Sequence, residues 1–329
     1  MLNKKCSRAD CYGPKAVDKV RTIIAGRGVQ GIKREKICGD DFVAFVDPNN
    51  EGAEFNDITD VPLDRYDAVL GCIPDEPKSE FARYCLSHGK HLMLEKPFWV
   101  PNEHDFSALQ ELARVNKAVC YTAYNHRFEP HFVKMRDLVK SGKLGRIYRC
   151  RMFYGNGTAR LVRESEWRDR GGGVLPDLGS HLLDTCQFWF NDALDHTNWE
   201  IISANRFENR APDHVIIGYQ DHKISLELEM TMLMWRNHFT CDVLAEKGSA
   251  HIESLCKWGP STFTHRERVL PSGRPVEYQE TRVSPDPTWK IEYDHFKSLI
   301  RARNDSDLSW DHELFIKLNA LEKQIMHSE

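Results

Sequence analysis

The chain has 329 residues, 41% hydrophobic and 29% charged, a normal globular balance with enough length for two domains. Its 45 basic and 49 acidic side chains leave a net charge of −4 without like-charged blocks, which argues against nucleic acid or an anionic membrane surface as a partner. No apolar run approaches the roughly 20 residues of a membrane span, and the first twenty residues lack a signal-like stretch, so a cytoplasmic protein is expected. In chain order, residues 1–20 are polar with a Gly-Pro break and read as an N-terminal extension. Thr22 to Ala25 forms a short buried strand, followed at once by Gly26-Arg27-Gly28-Val29-Gln30-Gly31 and a helical stretch. Further strands are expected at 42–46, 67–73, 91–94 and 119–123, with helices at 77–88 and 103–116. This alternation predicts a parallel sheet covered on both faces.

The pattern changes after about residue 130. A helix at 131–141 leads to a strand at 147–153, a helix carries His181, and strands follow at 199–206, 214–219, 222–231, 238–245 and 249–253. In 222–231 the apolar Ile224, Leu226, Leu228 and Met230 alternate with Ser225, Glu227, Glu229 and Thr231, the mark of a sheet with one buried face and one polar or partner-bound face. Helices at 288–302 and 310–326 close the chain. Residues 21–125 and 126–329 are read as two domains. The ten cysteines are scattered, with no Cys-x-x-Cys, and read as reduced core residues rather than a disulfide framework or a zinc site.

Three motifs carry chemistry. Gly26-x-Gly28-x-x-Gly31 lies between a strand and a helix, where its glycines allow a tight turn, close approach of a pyrophosphate and close helix packing. The bland alternative is a glycine-rich turn in an α/β protein that binds nothing. Asp47 ends the next strand, where a carboxylate can accept from both adenosine ribose hydroxyls. An acid there, followed by Pro48 and Asn49, opposes a 2′-phosphate and favours NAD over NADP, with Lys33 and Arg34 as the basic residues that weigh the other way. Glu95-Lys96-Pro97 follows the fourth strand at its carboxyl end, where a lysine can stabilise an alkoxide-like oxygen and Glu95 can fix its position. Finally, Gly171-Gly172-Gly173 precedes Asp177 and His181, whose spacing puts both on one helix face with Asp184 near the same stripe.

Taken together, these motifs resemble the glucose–fructose oxidoreductase/inositol dehydrogenase family. Tyr124 to Pro130 looks like that family's crossover segment, and Trp167-Arg168 like its pair before the glycines. The family implies an α/β protein: an N-terminal Rossmann dinucleotide-binding domain, then an α+β substrate domain with a large, mostly antiparallel open sheet. The uncovered face of such a sheet is a natural partner surface, so a homodimer or homotetramer is expected. The family also implies NAD(P)-dependent oxidation or reduction at a carbinol carbon of a sugar, cyclitol or nucleotide sugar. Lys96, Asp177 and His181 become the catalytic trio: His181 takes the hydroxyl proton as hydride leaves, Lys96 polarises the oxygen, and Asp177 orients substrate and imidazole. Arg27, Val29, Gln30, Ile73, Pro74, Glu95, Asn125, Trp167 and Arg168 join the glycines, Asp47 and Lys96 as cofactor contacts, and Tyr154 and Arg160 join Lys96, Asn125, Asp177 and His181 as substrate contacts.

The sequence departs from the family in two places. Pro48 to Asp57 is too short and polar for the helix usually inserted there, and Ile73-Pro74 with Lys78 replaces a Thr-Pro followed by a histidine. His126, Glu129 and His131 suggest metal ligands, but their spacing matches no zinc site and no metal is expected. Arg163, near Arg160, is a further basic residue suited to a phosphate or carboxylate. Two other functions fit the scaffold: a glycosidase that retains its NAD, and a non-catalytic NAD-binding regulator. The intact trio argues against the regulator.

Overall fold

Apolar strand runs flanked by helices assemble here into two separate sheets. The structure, a computed structural model, describes residues 19–166, 168–190, 198–303 and 305–327. Most of the expected extension at 1–20 lies outside that range.

The first sheet joins β1 (Thr22–Ala25), β2 (Phe42–Val46), β3 (Ala68–Gly71), β4 (His91–Glu95) and β5 (Cys120–Ala123) in the order β2-β1-β3-β4-β5, all parallel. Helices α1 (Val29–Cys38), α2 (Lys78–Ser87) and α3 (His104–Val115) connect the strands. Neighbouring residues such as Ile23 and Ile24 point to opposite faces and both are fully buried, so each face must be covered. Leu86 of α2 and Phe106 and Leu109 of α3 pack on the Ile23 face. The Ile24 face is covered in part by Tyr293 and Phe296 of α7 (Thr288–Ala302). The chain thus returns to the first sheet from a segment expected to belong to the second domain. Sequence order could not show this, because an amphipathic helix does not declare which sheet it will cover. Strand order reverses at β1 and β3, so their carboxyl ends open the cleft in which such sheets bind ligands.

As expected, the stretch after β2 forms no α-helix. Phe55 instead pairs with Val46 in a parallel bridge, and short 3₁₀ turns at Ile58–Asp60 and Leu63–Arg65 lead to β3.

The second sheet has eight strands in the order β13-β12-β11-β10-β6-β9-β8-β7. They are β6 (Ile147–Gly155), β7 (Trp199–Asn205), β8 (His214–Gln220), β9 (Ser225–Thr231), β10 (His238–Ala245), β11 (Gly248–Glu253), β12 (Ser261–Val269) and β13 (Gly273–Arg282). Only the β6–β9 pairing is parallel. Side chains of α4 (Pro130–Lys140), α6 (Ser180–Phe190) and α8 (Ser309–His327) cover one face. The other face is open, with Arg149 and Arg151 of β6 paired to Glu227 and Glu229 of β9, and with Tyr148, Ile202 and Leu244 exposed. Two strands, β12 and β13, were missed from sequence. β13 is almost wholly exposed, so it carries no buried-face alternation to read. A short helix, α5 (Ala159–Arg163), was missed as well.

The eight described cysteines that carry a free thiol are all buried or half-buried, as expected of core residues. No described helix is long and apolar enough to cross a membrane.

Candidate active site

The glycine loop needs its glycines for steric reasons. Gly26 has φ +90°, and a Cβ there would lie 2.3 Å from the Cys72 carbonyl oxygen, while one on Gly31 would lie 1.9 Å from the Gly26 oxygen. At Gly28 a Cβ would meet nothing within 4 Å, so the loop faces open space where a diphosphate can approach the backbone. Gly28 is the N-cap of α1, whose first turn carries no acid and presents exposed Val29 and Gln30. The Asp47 carboxylate is held against the loop by the amides of Arg27 (2.8 Å) and Asn49 (2.9 Å). Arg27 turns aside, its guanidinium 5.5 Å from the Phe45 ring centre and bonded to Asn50. At the end of β3, Ile73 packs on the core and Pro74 is exposed at the cleft rim. Loop, helix start and carboxylate fit the pyrophosphate and adenosine ribose of a dinucleotide.

Glu95 does not reach the Lys96 ammonium, as its expected positioning role suggested. It accepts instead from Arg34, at 2.7 Å and 2.9 Å. Arg34, 1% exposed, also pairs with Glu292 of α7 at 2.9 Å and lies 4.3 Å from the Trp289 ring centre. Buried in this way, Arg34 is not available to a 2′-phosphate. Lys78, the residue that breaks the family's histidine pattern, is fully committed too. Its ammonium donates to Asp75 (2.6 Å), the Glu95 carbonyl (2.7 Å) and the Pro97 carbonyl (2.6 Å), clamping the turn that presents Lys96.

Lys96 points across to the second domain, donating to the Asp177 carbonyl at 2.5 Å and its carboxylate at 3.1 Å. Arg168 approaches the other Asp177 oxygen at 3.4 Å. Burial works to raise the Asp177 carboxyl, but Lys96 and Arg168 outweigh it and hold it below its ordinary value. The expected one-face pairing of Asp177 with His181 does not form. Leu175–Gly179 winds as a π-helical turn before α6, and the Ser180 amide bonds back to the Leu175 carbonyl, an i→i+5 step. From this turn Asp177 meets Lys96, and among the described residues no hydrogen bond joins it to His181. Asp184, lower on α6, is buried and accepts from Arg127 (2.6 Å) and Trp310 (2.8 Å), a structural tie rather than a site group.

His181 is 9% exposed, and its Nδ1 is sealed with no hydrogen-bond partner, so Nε2 is the nitrogen the cleft can reach. Its ring stacks on His126, centroids 4.0 Å apart and planes 20° apart, and Tyr154 meets it edge-on at 6.1 Å. Burial, then the neighbouring His126, Lys96 and Lys257, push the His181 imidazole well below its ordinary value, so it is neutral at neutral pH. His126 Nε2 lies 3.4 Å from the Lys257 ammonium and His131 Nε2 lies 3.0 Å from the Ser261 carbonyl, and the described residues contain no group of three or more His, Cys, Asp or Glu side chains placed to hold a metal ion. Asn125 lies at the crossover and donates to Thr288 at 2.8 Å. Arg160 is 90% exposed and 3.9 Å from Glu208, in a shallow depression shared with Arg163 and Phe207, and touches none of the trio. Trp167 lies outside the described residues. Arg34, Lys78, His126 and Lys257 are the site residues whose roles the sequence did not give. Arg34 and Lys78 stood out only as a basic neighbour and a broken pattern, His126 only as a loop histidine, and Lys257 gave no signal at all.

Residues 32–124 match the oxidoreductase family with an NAD-binding Rossmann fold, and residues 132–251 match the GFO/IDH/MocA C-terminal domain. Inositol 2-dehydrogenase 2 of Saccharopolyspora erythraea is 30% identical over 223 residues, covering 64% of this chain and 59% of that protein. An uncharacterized oxidoreductase of Schizosaccharomyces pombe is 31% identical over 120 residues, 35% of this chain and 32% of that protein. The chain spans about a third of the length of the first curated relatives it matches. Among solved structures, an inositol dehydrogenase homolog of Azotobacter vinelandii, complexed with NADH and myo-inositol, superposes with a TM-score of 0.74 at 15% identity, covering 94% of this chain and 97% of that one. An oxidoreductase of Desulfitobacterium hafniense described as NADPH-dependent gives 0.79 at 13% identity, covering 95% and 97%. These likenesses establish the shared two-sheet fold. From its two family domains, in order and covering most of its length, the chain belongs to the GFO/IDH/MocA family of oxidoreductases.

Proposed function

We propose that the protein is an NAD-dependent dehydrogenase acting on a secondary alcohol of a sugar, cyclitol or nucleotide sugar. The observation that carries this reading is the meeting of Lys96, from the end of β4, with Asp177 and His181 of the second domain, beside a glycine loop that fits a dinucleotide. NAD, when bound, supplies the hydride acceptor. The chain's residues do the rest. Asp177 keeps the Lys96 ammonium in place, and that ammonium stabilises the substrate oxygen as its proton departs. Neutral His181 accepts that proton at Nε2. The carbinol C–H leaves as hydride, the O–H proton goes to the imidazole, and a ketone remains. Because burial and the neighbouring cations hold His181 neutral, the ring is free to accept this proton at neutral pH.

The exposed sheet face, with its ion-pair ladder and exposed Tyr148, Ile202 and Leu244, supports assembly as a homodimer or homotetramer. Free buried thiols fit a reducing compartment such as the cytoplasm. A screen of sugars, cyclitols and nucleotide sugars with NAD, read as absorbance of the reduced cofactor, tests the activity. Stoichiometric NADH that disappears in Lys96→Ala and His181→Ala is expected. Turnover without free NADH points to the NAD-retaining glycosidase, and full activity in both variants sinks the catalytic reading.

A further inference from the structure

Lys257 stands beside the imidazole stack, and among the described residues no carboxylate is in ion-pair contact with it. It occupies a turn at Cys256–Trp258 after β11, and its ammonium lies 3.4 Å from His126 Nε2. The turn is fixed from behind. Glu129, 1% exposed, accepts from the Cys256 amide at 3.2 Å and the Cys256 thiol at 3.0 Å. Two carboxylates are near enough to influence Lys257, namely Asp286 and Glu129. Both are otherwise engaged: Asp286 accepts from the amide and hydroxyl of Thr288 at 2.9 Å and 2.7 Å, and Glu129 holds the Cys256 pair. Among the described residues no carboxylate lies within 4.0 Å of the Lys257 ammonium. Lys96 contrasts with it, since Asp177 neutralises Lys96 at 3.1 Å.

A neutral polyol gives such an ammonium nothing but hydroxyls, whereas a carboxylate gives it a charge-assisted hydrogen bond at the reacting end of the cleft. We propose that Lys257, backed by His126, is a carboxylate subsite, and that the substrate is a sugar acid or polyhydroxy acid whose reacting hydroxyl faces Lys96 and His181. This rests on the dehydrogenase reading and narrows it. Binding and proton removal are then linked. The Lys257 charge is one of the influences that hold both imidazoles well below their ordinary values, and an arriving carboxylate offsets that charge. An acid substrate therefore makes His181 a better base than a neutral one does.

The test is calorimetric binding to the NAD-loaded protein of matched pairs, D-glucuronate against D-glucose and D-gluconate against D-glucitol, in wild type, Lys257→Met and Lys257→Arg. NAD affinity is measured for each variant alongside. The acids are expected to bind about tenfold more tightly than their neutral partners in wild type, a preference that Lys257→Arg keeps and Lys257→Met reduces to about one. Reading the ratio within each variant separates the charge from any general damage to the fold. Equal binding of acid and neutral compounds by wild type, or an unchanged ratio in Lys257→Met, overturns the proposal. A loss of NAD affinity in Lys257→Met with the acid preference intact also overturns it and gives Lys257 to the cofactor. Oxidation of a neutral polyol with no binding of either acid overturns this subsite alone and leaves the dehydrogenase reading standing.

Discussion

Arg34→Met removes the cation from a buried triad and tests whether that triad holds the Lys96 strand end in place. Arg34 is 1% exposed and pairs with Glu95 at 2.7 Å and with Glu292, which is fully buried, at 2.9 Å. Deleting the cation leaves Glu95 without its partner, and above about pH 8, where Glu292 is ionised as well, it strands a fully buried charge, a loss of about 3–5 kcal/mol. Methionine keeps much of the stem packing against Trp289, so the loss is chiefly one of charge. The pH dependence gives a sharper signature. Burial raises Glu292 from 4.5 to about 8 even though Arg34 opposes the shift. Between those values the native protein holds a proton that the unfolded chain has released, so this group's contribution to stability falls as pH rises from 4.5 through about 8. Without Arg34 the native value climbs higher, and the deficit of the variant widens with pH. Urea unfolding at pH 6 and pH 9 measures it, with the gap between variant and wild type expected to grow by about 1 kcal/mol or more at the higher pH. Arg34→Met/Glu292→Gln should recover most of the loss, since the amide carries no charge to strand. A single variant within about 1 kcal/mol of wild type at both pH values, or a gap that narrows with pH, refutes the reasoning.

Four other outcomes are expected. His181→Ala should lower turnover by about 10²–10⁴-fold with NAD affinity unchanged. In the wild type, oxidation should be level above pH 6.5 and lost only as pH falls through the depressed value of the imidazole, because only the neutral ring accepts the proton. A pH–rate profile with its acid limb above 6.5 contradicts this. Lys78→Met strands the Glu95 and Pro97 carbonyls and should destabilise the protein by about 2–4 kcal/mol in thermal melting, with Lys96 chemistry weakened as the clamped turn loosens. A variant that melts with wild type shows those carbonyls find other donors. Gly31→Ala puts a Cβ 1.9 Å from the Gly26 oxygen, so calorimetry should find NAD binding weakened at least about tenfold; retained affinity would mean the loop can shift.

Much of this protein was legible in its sequence because local chemistry dictated it. The alternation of strand and helix through residue 123, the glycines that no side chain could replace, and Asp47 at a strand end all follow from short-range constraints of sterics and burial. Lys96 and the run through His181 could be paired only by resemblance to a known family. Other features depend on residues far apart in the chain. Arg34 finds Glu95 and Glu292 across separations that no local pattern encodes, and α7 returns to a sheet laid down some 200 residues earlier, between β1 and β5. Asp177, in the π-helical turn at Leu175–Gly179, pairs with Lys96 from the first domain rather than with the imidazole one turn along the chain. The sequence by itself determined which side chains were present and which short loops could cradle a diphosphate. The tertiary structure alone decided the partners, because an ion pair or a ring stack depends on distances that folding sets: Asp177 with Lys96, His126 with His181, and Lys257 beside them with no described carboxylate in ion-pair contact.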